Sequence, residues 1–388
     1  MKHRFNHEFN PFIFLKRFLD IFEIFLEKIT IKKSWIIKAT LICTFLSLFN
    51  SFPSLESLDV QNGTKKEFIN QIDDLQKYWN SNITTNLNYR ITQVFFAKIM
   101  GGNYKISFLI QFISGIFSFY FLLKIIFRIT GDKINSLLFT AAFATTVPGI
   151  SSFISLFGSF DGLALFFIII AMFVKNNFII PILIIVGSLT DERAFLAAGF
   201  IVIFNFIDDP VKLSNYKKIL KKEILSPIIG MLIYLVIRLF LTIEYDLAME
   251  DGQKLISIEK WKLLDQVNMI PFGIWTSLEG FLIVIILCLY PFWKINKLAT
   301  TIFLINIFSI IILAFSVHDI SRGLLYLFPS TIIGIKVLSM HTNKKQLRKL
   351  ILTVFFICLF SFNYSAGGKK TIWWHYPLPI QIVRLIIN

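Results

Sequence analysis

Long apolar runs recur along almost the whole chain, and most polar residues are confined to the breaks between them. Eleven such runs lie near 35–51, 106–127, 135–149, 161–174, 178–190, 194–207, 225–242, 277–293, 299–316, 322–340 and 350–362. They approach or reach the length that crosses a hydrocarbon core of about 30 Å. Lipid offers no partner to a backbone N–H or C=O, so these runs predict helices. Several are short, which predicts broken or re-entrant helices among them. The expected fold class is all-α, a polytopic transmembrane bundle of about eleven spans with a long first outer loop.

Composition narrows the functional classes. Of 388 residues 55% are hydrophobic and the mean hydropathy is +0.69, more apolar surface than a soluble domain of this size can hide. The formal charge of +15 does not point to a nucleic acid, because the basic residues are spread over short loops and not along one face. Cys43, Cys288 and Cys358 all fall inside apolar runs without Cys-x-x-Cys spacing and read as buried thiols. No His-x-x-x-His pair suggests a metal centre. A divalent cation would find acidic residues, but no ligand set is defined.

The loops set the expected orientation. With the N-terminus in the cytoplasm, the pieces 1–34, 128–134, 175–177, 208–224, 294–298 and 341–349 carry 21 Lys/Arg against 8 Asp/Glu, while the opposite pieces carry more acids than bases. That satisfies the positive-inside rule, and the inverse topology would violate it. The basic stretch before Trp35 is too long for a signal-peptide n-region, so the first run is expected to be an uncleaved anchor. Three segments follow from this threading. The first, 1–34, is cytoplasmic and holds an amphipathic stretch (Phe14, Phe18, Ile21, Phe22, Phe25 and Ile29 against Lys16, Asp20, Glu23 and Glu27), expected on the membrane surface or packed on a cytoplasmic loop. A module over 35–207 includes the outer loop 52–105, and a second over 208–388 includes the outer loop 243–276 and the outer tail 363–388. The aromatic stretch Trp373-Trp374-His375-Tyr376 in that tail suits a membrane interface.

Three polar clusters interrupt the apolar runs on the same, outer side. They are Asp161, the turn Asp191-Glu192-Arg193, and His318-Asp319-Ile320-Ser321-Arg322. Ionisable groups at membrane depth are costly and face a partner or a cavity. Bland readings stand beside the functional one. Asp161 suits a helix first turn, and the three-charge turn suits an internal salt bridge. Arg90, beside a short apolar piece over Ile91–Met100, suits phosphate oxygens or lipid headgroups equally. Glu56 and Asp59, just beyond the first run, suit a general base or a solvated loop. Lys38, Lys98, Lys124, Arg238 and Lys336 read as packed or snorkelling.

The stretch Leu55-Glu56-Ser57-Leu58-Asp59, then Asn88-Tyr89-Arg90 through Gly101-Gly102-Asn103-Tyr104, with Gly131-Asp132-Lys133, Thr146-Val147-Pro148 and Phe160-Asp161-Gly162, resembles the GT-C superfamily of membrane glycosyltransferases over roughly 35–207. The superfamily often shows Asp-x-Asp, Glu-x-Asp or adjacent acids in the first loop, whereas this chain has Glu56-x-x-Asp59. The resemblance implies a polyprenyl-phosphate-linked sugar donor, a glycan or lipid acceptor and an active site on the outer face of the cytoplasmic membrane, in cell-envelope glycan or glycolipid assembly. It implies Asp59, or else Glu56, as the base. Arg90, Arg193 and Arg322 would meet the lipid phosphate, while His318, Asp161, Asp191 and Glu192 shape the sugar site and Asp319 orients His318 or Arg322. A polysaccharide repeat-unit polymerase and a lipid-linked sugar flippase or transporter are the rival readings.

Overall fold

The computed structural model describes residues 11–53, 63–79, 86–156, 158–207, 221–245, 247, 266–317, 319–361, 363–367, 370–373 and 376–387. Among these the fold is a helical bundle. In order it runs through α1 (Pro11–Thr30), α2 (Trp35–Asn50), α3 (Gly63–Asp73), α4 (Leu75–Trp79), α5 (Thr92–Ile99), α6 (Tyr104–Thr130), α7 (Lys133–Thr145), α8 (Val147–Ile154), α9 (Asp161–Phe173), α10 (Ile179–Thr190) and α11 (Arg193–Ile207). It continues through α12 (Lys222–Glu244), α13 (Ile270–Leu278), α14 (Phe281–Ile295), α15 (Lys297–Ser316), α16 (Ile320–Leu324), α17 (Phe328–His341), α18 (Lys344–Phe360) and α19 (Leu378–Ile387). The all-α expectation holds for the bundle with one addition. After α18 the chain forms an antiparallel hairpin, β1 (Tyr364–Gly367) on β2 (Lys370–Trp373), in register from Tyr364 opposite Trp373 to Gly367 opposite Lys370. The hydropathy reading has no signal for a strand pair this short.

Among the described residues, four helical stretches are long and apolar enough to cross a membrane: 104–130, 222–244, 297–316 and 320–341. Two more crossings arise if each bent pair counts as one, α7 with α8 at 60° and the 267–278 segment with α14 at 96°. Four further apolar helices, α2, α9, α10 and α11, are shorter. The chain therefore has the character of a multi-pass membrane protein, and two of its apolar segments are sharply bent at a break, while the short runs over 161–174, 178–190 and 194–207 form unbroken helices. The apolar piece after Arg90 forms α5, and Gly101 and Gly102 end it with positive φ.

Packing explains how the broken helix is held. Ser152 on α8 sits between Gly115 of α6 and Gly162 of α9, and a Cβ at either glycine would come within 2.6 Å of Ser152 atoms. Small residues let helices approach this closely. Phenylalanines interlock the two halves of the chain. Phe143 lies 4.0 Å from Phe328 between ring centroids, Phe139 lies 4.9 Å from Phe281, and Phe281 lies 5.6 Å from Phe328. Offset and edge-on aromatic pairs of this kind add to simple area burial. Basic residues inside the bundle are absorbed locally. Lys336 donates to Phe204 O at 2.6 Å, Arg238 stacks on Tyr89 at 4.5 Å, and Lys124 lies over Tyr120 at 4.4 Å.

At the end of the bundle away from the three clusters, the N-terminal helix docks. Phe22 stacks on Phe355, Leu26 is buried, and Glu23 pairs with Arg348, while Ile21, Ile24 and Phe25 stay exposed. Arg348 also pairs with Asp132 at 2.7 Å, and Asp132 caps α7 by accepting from Ile134 N and Asn135 N at 2.8 and 3.0 Å. Burial pushes the Asp132 carboxyl up, but the Asn135 N–H, Arg348 and the Ile134 N–H outweigh it and hold the group below its usual range. A depressed carboxyl adds stability above its unfolded value, and that stability is lost as pH falls through the folded value. Asp132→Asn keeps a cap acceptor and removes the charge. It should cost at most about 1 kcal/mol at neutral pH, given the partial exposure, and should flatten the loss of thermal stability below about pH 4. An unchanged acid limb in the melting curves would remove Asp132 from this role.

Candidate functional site

The polar clusters meet. Among the described residues, seven side chains form one continuous series of ion pairs: Glu192, Arg90, Asp191, Arg193, Asp161, Arg322 and Asp319. Arg90 grips Glu192 with two hydrogen bonds of 3.0 Å and reaches Asp191 at 3.4 Å. Arg193 binds Asp191 at 2.6 Å and Asp161 at 2.9 Å. Arg322 binds Asp161 through Nε at 2.5 Å and Nη2 at 3.1 Å, and Asp319 through Nη1 at 3.3 Å. The pairs join segments 102 and 161 residues apart in the chain.

Local geometry explains why these residues occupy these positions. Asp191 ends α10 in extended backbone, and its Oδ1 accepts from both the N–H and the Nε of Arg193 at 3.0 and 2.9 Å. The side chain thus closes the tight turn into α11 and fixes the Arg193 guanidinium in one motion. Asp161 opens α9 but makes no cap hydrogen bond; its oxygens go to the two arginines. Asp161 and Asp191 are each only 1% exposed, so pairing is what makes their charge tolerable. Burial works against the charge on Arg90, and Asp191 and Glu192 more than restore it, so this guanidinium holds its proton more tightly than usual.

Asp161, Arg322 and Asp319 also form part of the wall of a cavity of about 260 Å³. Hydroxyls line it from Ser151, Ser155, Ser159 and Ser321, and apolar surface comes from Ile150, Ile154 and Leu325. Thr64 reaches it from α3. Gly158, at φ +86°, lets the segment after α8 lie against that helix, since a Cβ there would sit 3.1 Å from Lys65 Cα. Asn363 and Tyr364 complete the wall from the C-terminal tail. Such a mixture suits a ligand that is polar at one part and apolar at another.

Of the residues the sequence singles out, Arg90, Asp161, Asp191, Glu192, Arg193, Asp319 and Arg322 are brought together. Among the described ones, Asp161, Asp319 and Arg322 line the cavity, whereas Arg90 and Arg193 are not in its wall and give their donors to carboxylates. Glu56, Asp59 and His318 fall outside the described residues. Sequence reasoning missed Ser151, Ser155, Ser159, Thr64, Asn363 and Tyr364. The spacing of Ser151, Ser155 and Ser159 by four is a signal in hindsight, but the tail residues carry none. Among the described residues no group of three or more His, Cys, Asp or Glu side chains is placed to hold a metal ion. Comparison with protein-family models, curated proteins and solved structures gives no match.

Arg193→Ala would leave two buried carboxylates short of a cation and should cost about 3–5 kcal/mol in thermal or denaturant unfolding. Arg322, whose side chain is 25% exposed, should cost less than half as much when changed to Ala. Equal losses from the two variants would contradict the series as described.

Proposed function

We propose that the chain is a multi-pass membrane glycosyltransferase. It would use a polyprenyl-phosphate-linked sugar donor at the outer face of the cytoplasmic membrane, with about eleven crossings and a cytoplasmic N-terminus. The observation that carries the reading is the cavity. One guanidinium, two carboxylates and several hydroxyls share its wall with apolar side chains, at the end of the bundle where the first long loop and the C-terminal tail arrive. A sugar joined to a lipid through phosphate presents that same sequence of chemistries.

In such a transfer the acceptor hydroxyl attacks the anomeric carbon while the bond from that carbon to the phosphate oxygen breaks. The phosphate leaves with the electron pair, and a carboxylate takes the hydroxyl proton. Asp59 is the proposed base, with Glu56 the second choice. Arg322 is the cation in the wall where charge grows on the leaving phosphate, and a fixed charge there lowers the barrier. Arg193 and Arg90 contribute by holding Asp161, Asp191 and Glu192, which keeps Arg322 in place. The internal packing of Lys124, Arg238 and Lys336 supports an enzyme over a transporter, because these basic groups are used within the fold.

The test is transfer by the full-length protein in proteoliposomes, with a panel of radiolabelled polyprenyl-phosphate sugars and envelope lipid extracts as acceptors. Asp59→Asn and Arg322→Ala should each lower the rate by about a hundredfold or more, without loss of membrane insertion. Polymeric product would favour a repeat-unit polymerase. Movement of labelled lipid across the bilayer without transfer would favour a flippase. Full activity in both variants would sink the assignment.

A further inference from the structure

Two cavity residues keep a buried oxygen that accepts no hydrogen bond. In the ion-pair series three guanidiniums face four carboxylates, and Asp319 is the acid at the end. Its Oδ2 takes one long contact from Arg322 at 3.3 Å, while Oδ1 is shielded from solvent and unpaired. Asn363 is 7% exposed; its Nδ2 donates to Ser51 Oγ at 3.1 Å, and its Oδ1 is likewise unpaired. With Nδ2 committed to Ser51, the amide oxygen is the atom left open, and an amide oxygen can only accept. Buried acceptors are rarely left this way, because each gives up water for nothing.

The backbone around the pair is built. Asp319 and Gly367 form an antiparallel bridge, Ala366 N donates to Ser321 Oγ at 2.7 Å, and Tyr364 lies 6.4 Å from Phe272 between ring centroids. A two-stranded hairpin is marginal alone. Here these contacts seat it against α16 and set Asn363 and Tyr364 in the wall beside Asp319.

We infer that Asp319 and Asn363 form a hydrogen-bond-accepting subsite for the hydroxyl groups of a sugar head, half of it supplied by the C-terminal tail. Two acceptors call for a ligand rich in donors, and the neighbouring serine hydroxyls can either donate or accept to match the rest of a polyol. The inference rests on the glycosyltransferase reading in taking that polyol to be a sugar.

Decyl glucoside, decyl galactoside, decyl phosphate, decylammonium and decanol share one tail and isolate the head group. Added to the full-length protein in nanodiscs, at least one glycoside should raise the melting midpoint beyond the decanol effect. The concentration for half the shift should rise about tenfold in Asp319→Asn and in Asn363→Ala, the loss of one hydrogen bond each. Asn363→Asp, which keeps an acceptor in place, should retain the shift. Ser51→Ala, which removes the other amide partner, controls for disturbed tail packing and should also retain it. The inference is overturned if no glycoside exceeds decanol, if both loss variants bind as the unaltered protein does, or if decylammonium is the best ligand. Glycoside binding that depends on both residues in a protein that transfers no sugar would keep the subsite and remove the glycosyltransferase reading. Transfer indifferent to both residues would do the reverse.

Discussion

The site depends on the pairing of Arg193 with Asp161 and Asp191. A carboxylate at 1% exposure in an apolar bundle is intolerable alone, and removal of one partner from a buried pair costs about 3–5 kcal/mol. Arg193 answers two of them at once, at 2.9 and 2.6 Å. Through Asp161 it fixes Arg322, and through Asp191 it fixes Arg90. The turn after α10, the start of α9 and the start of α16 are thereby held at one place. Such a series is weak as a source of net stability, since well-packed apolar residues often do as well. Its consequence is geometric: one guanidinium, Arg322, and the carboxylates beside it stand at a defined position in the cavity wall.

The cavity itself comes from a broken helix. Thr146 is extended between α7 and α8, and the bend of 60° turns α8 across the bundle, where Gly115 and Gly162 leave room for Ser152. Irregular backbone at membrane depth is tolerated where it lines a cavity or is buried in protein. The serines of α8 and the segment after it supply part of the polar lining, and Val147, Ile150 and Ile154 supply part of the apolar lining. Polar and apolar chemistry thus reach the same cavity from one short element.

Much of this is legible in the sequence, and the reasons differ from residue to residue. Asp161, the Asp191-Glu192-Arg193 turn and the Asp319/Arg322 cluster stand out because charge between apolar runs is anomalous and needs a partner. Arg90 is legible only as one of several candidates, since a headgroup contact looks the same in sequence. The identity of each partner is not legible: nothing local in the chain says that Arg322 meets Asp161 across 161 positions. An arginine clamp of three also reads naturally from the sequence, yet the geometry leaves only Arg322 on the cavity wall. Asn363 and Tyr364 are invisible beforehand because they look like any tail after a last helix. The β-hairpin that positions them is too short for periodicity to register.

The proposed role of the cavity walled by Asp161, Arg322, Asp319 and α8 is to receive a lipid-phosphate ligand. A photoreactive prenyl phosphate, cross-linked to the full-length protein in nanodiscs and mapped by mass spectrometry, tests it directly. If the ligand enters there, label falls within 147–159 or 319–325 and is competed away by unlabelled prenyl phosphate. Label confined to the exposed apolar faces of α12 and α15, and indifferent to competitor, would contradict it.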